Sequence, residues 1–244
     1  MSAAFAVKNE TEFWQLPTIE SANLFAVLAE NRTEIELAQS LRYSVFVDEI
    51  GARPGAEAKK VRRDFDEYDE VCDHLLVIDK NKLNSPDNPV VGTYRLIRGT
   101  AAQAIGNFYS QSEYELGPVA RFSDDVLELG RSCVHKDYRD KATLQLLWRG
   151  IGAYLAHYDI KVMFGCASFH GSEIEPIKQQ LAYLRHYHLA PESLRPIAHS
   201  EKYINMDLAS KEECGDKKIR LNLPPLVKGY LAVGAYVGDG AVYD

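Results

Sequence analysis

Between residues 126 and 169 the chain is first β-rich, then helical, then apolar again, and that order limits its fold more than any other feature. Residues 126–134 (Val-Leu-Glu-Leu-Gly-Arg-Ser-Cys-Val) read as a strand. Leu144, Leu147, Trp148, Ile151, Tyr154, Leu155 and Tyr158 then recur at helical spacing, a stripe that packs on a sheet. Residues 161–169 return to small and apolar side chains and read as a second strand. A helical crossover of this length places its two strands parallel in one sheet, so the chain is expected to be α/β.

Two charged groups interrupt the first of these strands. Glu128 and Arg131 either form a solvated pair on one face or project into a polar cleft at the strand end, and the residues alone leave both open. In a regular strand they would point to opposite faces. The turn 138–143 (Tyr-Arg-Asp-Lys-Ala-Thr) leads into the helix. Its backbone N–H groups and positive dipole end suit a phosphate, or else Arg139 and Lys141 are ordinary surface charge beside a cap.

Around this unit the same patterns place other elements. Ile35, Leu37, Ala38, Leu41, Val45 and Phe46 predict a helix over 33–49, ended by Gly51 and Pro54. Residues 74–79 and 90–97 predict a hairpin with a long loop. Residues 108–115 are aromatic without a clear period and suggest a short helix or loop. Ile177, Leu181, Leu184 and Leu189 predict a helix over 174–189. Beyond Pro191 the pattern weakens to loops with one or two strands. The expected organisation is an N-terminal extension over 1–32 and one α/β domain over 33–244, with a C-terminal extension from about 191.

With 244 residues and 46% hydrophobic content, the chain has enough material for a substantial core. Its four cysteines form no C-x-x-C pair and no zinc-spaced cluster, so no disulfide framework and no metal are expected. Neither a signal peptide nor a membrane span is evident. A cytoplasmic location is expected, with peripheral contact at the inner membrane surface left open. The net charge of −7 argues against general nucleic-acid binding. Arg53, Lys59, Lys60, Arg62 and Arg63 abut Asp64, Asp66, Glu67, Asp69, Glu70 and Asp73, which makes either two partner surfaces or one self-compensating segment.

Six segments taken in order carry a resemblance. They are Leu41-Arg42-Tyr43-Ser44-Val45-Phe46; Asp64-Phe65-Asp66-Glu67-Tyr68-Asp69 with Cys72-Asp73-His74-Leu75; Val91-Gly92-Thr93-Tyr94-Arg95-Leu96; Glu128-Leu129-Gly130-Arg131-Ser132-Cys133-Val134; Gln145-Leu146-Leu147-Trp148-Arg149-Gly150-Ile151; and Phe164-Gly165-Cys166-Ala167-Ser168-Phe169. Together they resemble the ornithine lipid N-acyltransferases of the GNAT-like superfamily, cousins of the acyl-homoserine-lactone synthases. The resemblance spans about residues 35–244. Lys141 stands where that family often has a small residue, and the relatives are expected to continue past the end of this chain.

The resemblance implies a mixed central sheet with splayed parallel strands flanked by helices. It also implies transfer of a 3-hydroxyacyl group from the 4'-phosphopantetheine of acyl carrier protein to the α-amine of L-ornithine, with no covalently bound cofactor. Glu128 is then the expected proton acceptor and Arg131 a second catalytic residue. Tyr183 or Tyr187 is a candidate acid for the leaving thiolate, although aromatics on such a helix also serve as core. Arg42, Arg95 or Arg98 would bind the ornithine carboxylate, and Asp66, Asp69 or Asp73 its side-chain ammonium. Arg139, Lys141, Ala142 and Thr143 would meet the pantetheine phosphate. The basic residues 53–63 with Lys136, Arg139 and Lys141 would meet the acidic carrier protein. Acylation of another amine, glycine or a homoserine lactone precursor, and a non-catalytic carrier-binding module are the alternatives.

Overall fold

The structure, a computed structural model, describes residues 14–169, 171 and 173–243, without the side chains of Phe122 and Ser123. Residues 1–13 of the expected N-terminal extension lie outside the described residues. The chain divides into two compact units. The first holds residues through Asp69, Asp73–Arg95 and Arg131–Tyr158, and the second holds Glu70–Cys72, Leu96–Gly130 and residues from Asp159 on.

In the first unit, β1 (Ile19–Ser21) and β2 (Leu24–Leu28) form an antiparallel pair, and β2 continues antiparallel onto β3 (Asp73–Asp79), with Ala26 opposite Val77. The expected extension thus contributes two strands. β4 (Val90–Arg98) lies beside β3 in the sheet, as the hairpin reading requires. β3 is buried almost throughout because both its faces are covered. Leu76 and Ile78 pack with Ala38, Leu41 and Val45 of the helical segment that begins at α1 (Arg32–Tyr43). Leu75 points the other way, under Gly150 of α4 (Lys141–His157), where a Cβ would stand 2.7 Å from Leu75 Cδ1. Strand alternation therefore assigns one helical layer to each face.

The helix expected over 33–49 is present, but at Ser44 it widens into a π-helical turn, Ser44–Glu49, which ends before Gly51 at φ +89°. Asn31 caps α1 by accepting from Glu34 N. The basic segment carries a short helix, α2 (Ala56–Val61), closed by Arg62 in the left-handed region.

In the second unit, β4 leads into α3 (Gly99–Ile105), and a 3-10 turn, Tyr109–Ser112, precedes the two-residue strand β5 (Tyr114–Glu115). The first half of β6 (Val126–Val134) pairs in parallel with β7 (Val162–Phe164), as the crossover argument predicted. The second expected strand is much shorter than 161–169, because the pairing ends at Glu128 opposite Phe164. Gly165 then comes so near Leu129 that a Cβ would lie 2.2 Å from its carbonyl oxygen.

The helix expected over 174–189 is α5 (Lys178–His188), preceded by a 3-10 turn with Pro176 near its start. Leu181 and Leu184 of α5 pack with Met206, Leu223 and Val227. Beyond Pro191 the expected loops and a strand are present, and helices that were not expected follow them. Among the described residues the strand there is β8 (Ile197–Ala198), antiparallel to β5, and three short helices come after it: α6 (Lys211–Cys214), α7 (Lys217–Leu221) and α8 (Pro225–Ala232). Each has a local start signal: a Ser210/Glu213 capping box, an Asp216 cap and Pro225 in the first turn. Among the described residues no helix is long and apolar enough to cross a membrane.

Candidate active site

In the first unit, three arginines and three aspartates form one network. Arg42 from α1 is buried, donates from both terminal nitrogens to Asp69 at 2.9 and 2.8 Å, and donates from Nε to Asp64 at 2.8 Å. Arg95 from β4, also buried, donates to Asp66 at 2.5 Å and to Asp69 at 3.2 Å, and its guanidinium lies over the Tyr68 ring. Gln39 donates to Asp69 as well. Burial acts to raise the Asp69 carboxyl, but the Arg42 hydrogen bonds and the Arg42 and Arg95 charges prevail and hold it down at about 2. Burial keeps His74 below the ordinary imidazole range, even against the opposing charge of Asp69, whose carbonyl it meets at 3.3 Å.

The network reaches solvent at one edge. Asp64, Asp66 and Arg131 have side chains 23%, 24% and 28% exposed, with Arg131 3.5 Å from Asp64 and 3.4 Å from Asp66. Arg131 adopts φ +49°, a left-handed conformation rare for a side chain of this size. That residue interrupts the two-residue alternation of β6, so parity along the strand no longer fixes where its side chain points. Asp73, by contrast, accepts from Tyr154 Oη at 2.6 Å.

The second unit holds Glu128. It is buried, and its carboxylate accepts from Tyr109 N and Ser110 N, each at 2.8 Å, and from the Ser110 hydroxyl. Cys166 Sγ lies 3.4 Å from both Ser110 Oγ and Glu113 Oε2. Cys166 keeps solvent access as a residue, while protein crowding around its sulfur, assisted by the Glu113 and Glu128 charges, pushes the thiol up to about 12. It therefore stands as a neutral donor at the exposed end of a chain running Cys166, Ser110, Glu128. Arg98 closes β4 at the N-cap of α3.

At the start of α4, Asp140 caps the helix by accepting from Thr143 N at 2.8 Å. Thr143 is buried, with its methyl group against Gly92. Arg139 is engaged by both Glu49 carboxylate oxygens and by the Val134 carbonyl. Lys136 and Lys141 are exposed. In the basic segment, Arg62 pairs with Asp48 and Arg63 with Glu36. Arg62 and Arg63 thus pair outside the basic segment, as Asp64, Asp66 and Asp69 do with the arginines of the network, while Lys60 lies 4.0 Å from Glu57 within the segment.

Comparison with known proteins adds the decisive observation. The chain is 45% identical, over 98% of its length, to an L-ornithine N(alpha)-acyltransferase of Agrobacterium fabrum, of which it covers 80%. It is 43% identical over 89% of its length to the enzyme of that name from Rhodobacter capsulatus, covering 83% of it. The chain belongs to the L-ornithine N(alpha)-acyltransferase family. Residues 41–149 match the acetyltransferase (GNAT) domain. A solved structure of the CoA-dependent acyl-homoserine lactone synthase BjaI is also similar, at 19% identity and a TM-score of 0.42, over 90% of this chain and 94% of that one.

As a member of the L-ornithine N(alpha)-acyltransferase family, the chain is an N-acyltransferase with the expected GNAT-like α/β fold. The structure gathers Arg42, Asp66, Asp69, Arg95 and Arg131 into one network and adds Asp64, which the sequence reading gave no role. It sets Ser110 on Glu128, with Cys166 against Ser110 and Glu113; of these only Cys166 lay in a segment that carried the resemblance, and none had been given a role. Phe108–Phe164 ring contact at 5.0 Å accompanies them, and the aromatic 108–115 segment was the one available signal. Tyr183 and Tyr187 stack on each other, with hydroxyls 3.3 Å from His188 Nε2 and 3.2 Å from the Lys211 carbonyl, contacts that belong to helix packing.

Proposed function

We propose that this chain transfers a 3-hydroxyacyl group from the 4'-phosphopantetheine thioester of acyl carrier protein to the α-amine of L-ornithine, the first step of ornithine lipid synthesis. The observation that carries the acceptor is the 45% identity, over 98% of the chain, to a curated ornithine acyltransferase. The network of three arginines and three aspartates agrees with it. Ornithine with its α-amine uncharged brings one carboxylate and one ammonium, a balanced pair that adds no uncompensated charge to a balanced site. In this reading Arg131 takes the carboxylate through its planar fork, and Asp64 and Asp66 take the side-chain ammonium. Arg42, Arg95 and Asp69 hold those edge groups in place.

The transfer forms a C–N bond and breaks the C–S bond. The α-ammonium gives up one proton before it attacks, the tetrahedral adduct gives up a second, and the departing sulfur takes one. Glu128 is the proton acceptor, with the Ser110 hydroxyl as relay from the solvent-accessible Cys166 side. Lys141, with the backbone N–H groups of Lys141 and Ala142, suits the pantetheine phosphate at the start of α4, where the Asp140 carboxylate limits its affinity. Lys136 and the basic segment 53–63 face the acidic carrier protein.

The test is to incubate the purified protein with 3-hydroxyacyl carrier protein and a panel of amino acids, followed by mass spectrometry. N-acyl-ornithine as the main product is expected. Equal or faster acylation of glycine or of a homoserine lactone precursor would overturn the acceptor assignment.

A further inference from the structure

From Lys217 to Gly238 the chain carries Lys217, Lys218, Arg220 and Lys228 and no acidic residue, within a protein of net charge −7. The segment comprises α7, α8 and the turn after them. Its inner side is fixed by Leu223 and Val227, which are buried in the cluster beneath α5. Lys228 Nζ donates to the Leu221 carbonyl at 3.0 Å and ties the two helices together. Its outer side is unusual for a surface exposed to water. Leu221, next to Arg220 in sequence, is 69% exposed, Val233 and Tyr236 just after α8 are 58% and 61% exposed, and Lys217, Lys218 and Arg220 are exposed as well.

We propose that residues 217–236 form a docking surface for an anionic lipid bilayer. The cations would sit at the level of the lipid phosphates, with their aliphatic stems along the apolar surface. Leu221, Val233 and Tyr236 would enter the headgroup boundary, where tyrosine in particular is favoured because one end of the ring is apolar and the other polar. An acidic protein would account for the cations alone. Exposed large apolar groups and exposed cations carried on one stretch of about twenty residues are accounted for by a partner with negative charge outside and hydrocarbon beneath. The local excess of positive charge is what allows an acidic molecule to approach such a surface at all. The inference is independent of the acceptor and donor assigned above.

The experiment is co-sedimentation of the full chain with phosphatidylcholine vesicles, with and without phosphatidylglycerol, at low and high salt. Binding is expected only to the anionic vesicles and is expected to weaken with salt. Reversing Lys217, Lys218 and Arg220 together to Glu should weaken it roughly a hundredfold. Leu221→Ser with Tyr236→Ser should weaken binding while keeping its salt dependence, and turnover with soluble substrates should be unchanged in both variants. Equal binding to neutral vesicles, or undiminished binding by the charge-reversed variant, would overturn the proposal. So would vesicle binding that is unchanged while the reversed variant loses affinity for acyl carrier protein, which would assign the surface to an acidic protein.

Discussion

Ser110 N donates to Glu128 Oε1 at 2.8 Å while Tyr109 N donates to the other oxygen at the same distance, so a 3-10 turn grips this carboxylate from the backbone. An amide in its place presents a donor to one of those N–H groups. Glu128→Gln should therefore lose about 1–3 kcal/mol of stability through the mispaired buried group. It should also lose about 10²- to 10⁴-fold in kcat if Glu128 accepts the reaction proton. Thermal unfolding and turnover measured together separate the two effects, and wild-type turnover in a folded variant would end the general-base assignment.

Ser110→Ala keeps both backbone bonds to Glu128 and removes only the hydroxyl between the carboxylate and Cys166. If that hydroxyl carries protons, kcat should fall by up to about a hundredfold with KM for ornithine unchanged, and Ser110→Thr should restore much of it. A purely structural hydroxyl would give a stability change with no loss of kcat.

Asp69 is the anchor of the arginine network. Its folded carboxyl is held at about 2 against an ordinary value of 3.8, so it stabilises the fold fully above about pH 4 and loses that contribution as pH falls toward 2. The contribution is on the order of 2 kcal/mol. Asp69→Asn should flatten acid unfolding in that window and destabilise the protein at neutral pH by about 3–5 kcal/mol, because buried Arg42 and Arg95 lose a charged partner. Urea unfolding at pH 7 and pH 3 checks both.

The parts of this molecule that were legible in its sequence are those with a period or a local cap. The β6, α4, β7 crossover followed from alternation, a helical stripe and chain length, and residues 126–134 are the observed strand itself. The pairing of Arg42 with Asp69 was not legible. Twenty-seven residues separate them, and a buried arginine on an amphipathic helix has the same sequence signature as a surface one. Ser110 was invisible for a related reason: its role comes from a 3-10 turn too short to leave a period, and from a partner eighteen residues away. The three C-terminal helices carried readable caps, but α6 and α7 are under two turns long and α8 barely exceeds two, too short for an apolar period to stand out.

Asp66 accepts from Arg95 and lies 3.4 Å from Arg131, yet retains an exposed edge. Asp66→Asn should raise KM for ornithine, by about tenfold for one partly exposed charge pair, with a smaller effect on kcat. The same variant should handle norvaline, which lacks the side-chain ammonium, about as well as the wild type does. A loss that is equal for both amines would mean that Asp66 acts through Arg95 and Arg131 rather than on the ammonium.

Gly165 and Gly150 make a controlled pair. At Gly165 a methyl group would stand 2.2 Å from the Leu129 carbonyl oxygen, a backbone atom of the strand that carries Glu128. At Gly150 it would stand 2.7 Å from Leu75 Cδ1 and 3.0 Å from Cδ2, atoms of a buried side chain rather than of backbone. Backbone cannot yield without moving the strand, whereas the buried Leu75 side chain can shift within the core at the usual overpacking cost, offset in part by alanine's better helix propensity. Gly165→Ala should therefore cost about 1–3 kcal/mol or more and reduce kcat sharply, because the end of the β6 and β7 pairing shifts at Glu128 opposite Phe164. Gly150→Ala should cost about 1–3 kcal/mol through overpacking against Leu75 but keep its turnover. Equal behaviour of the two variants in thermal unfolding and turnover would show that the close approach at Gly165 does not set the position of Glu128.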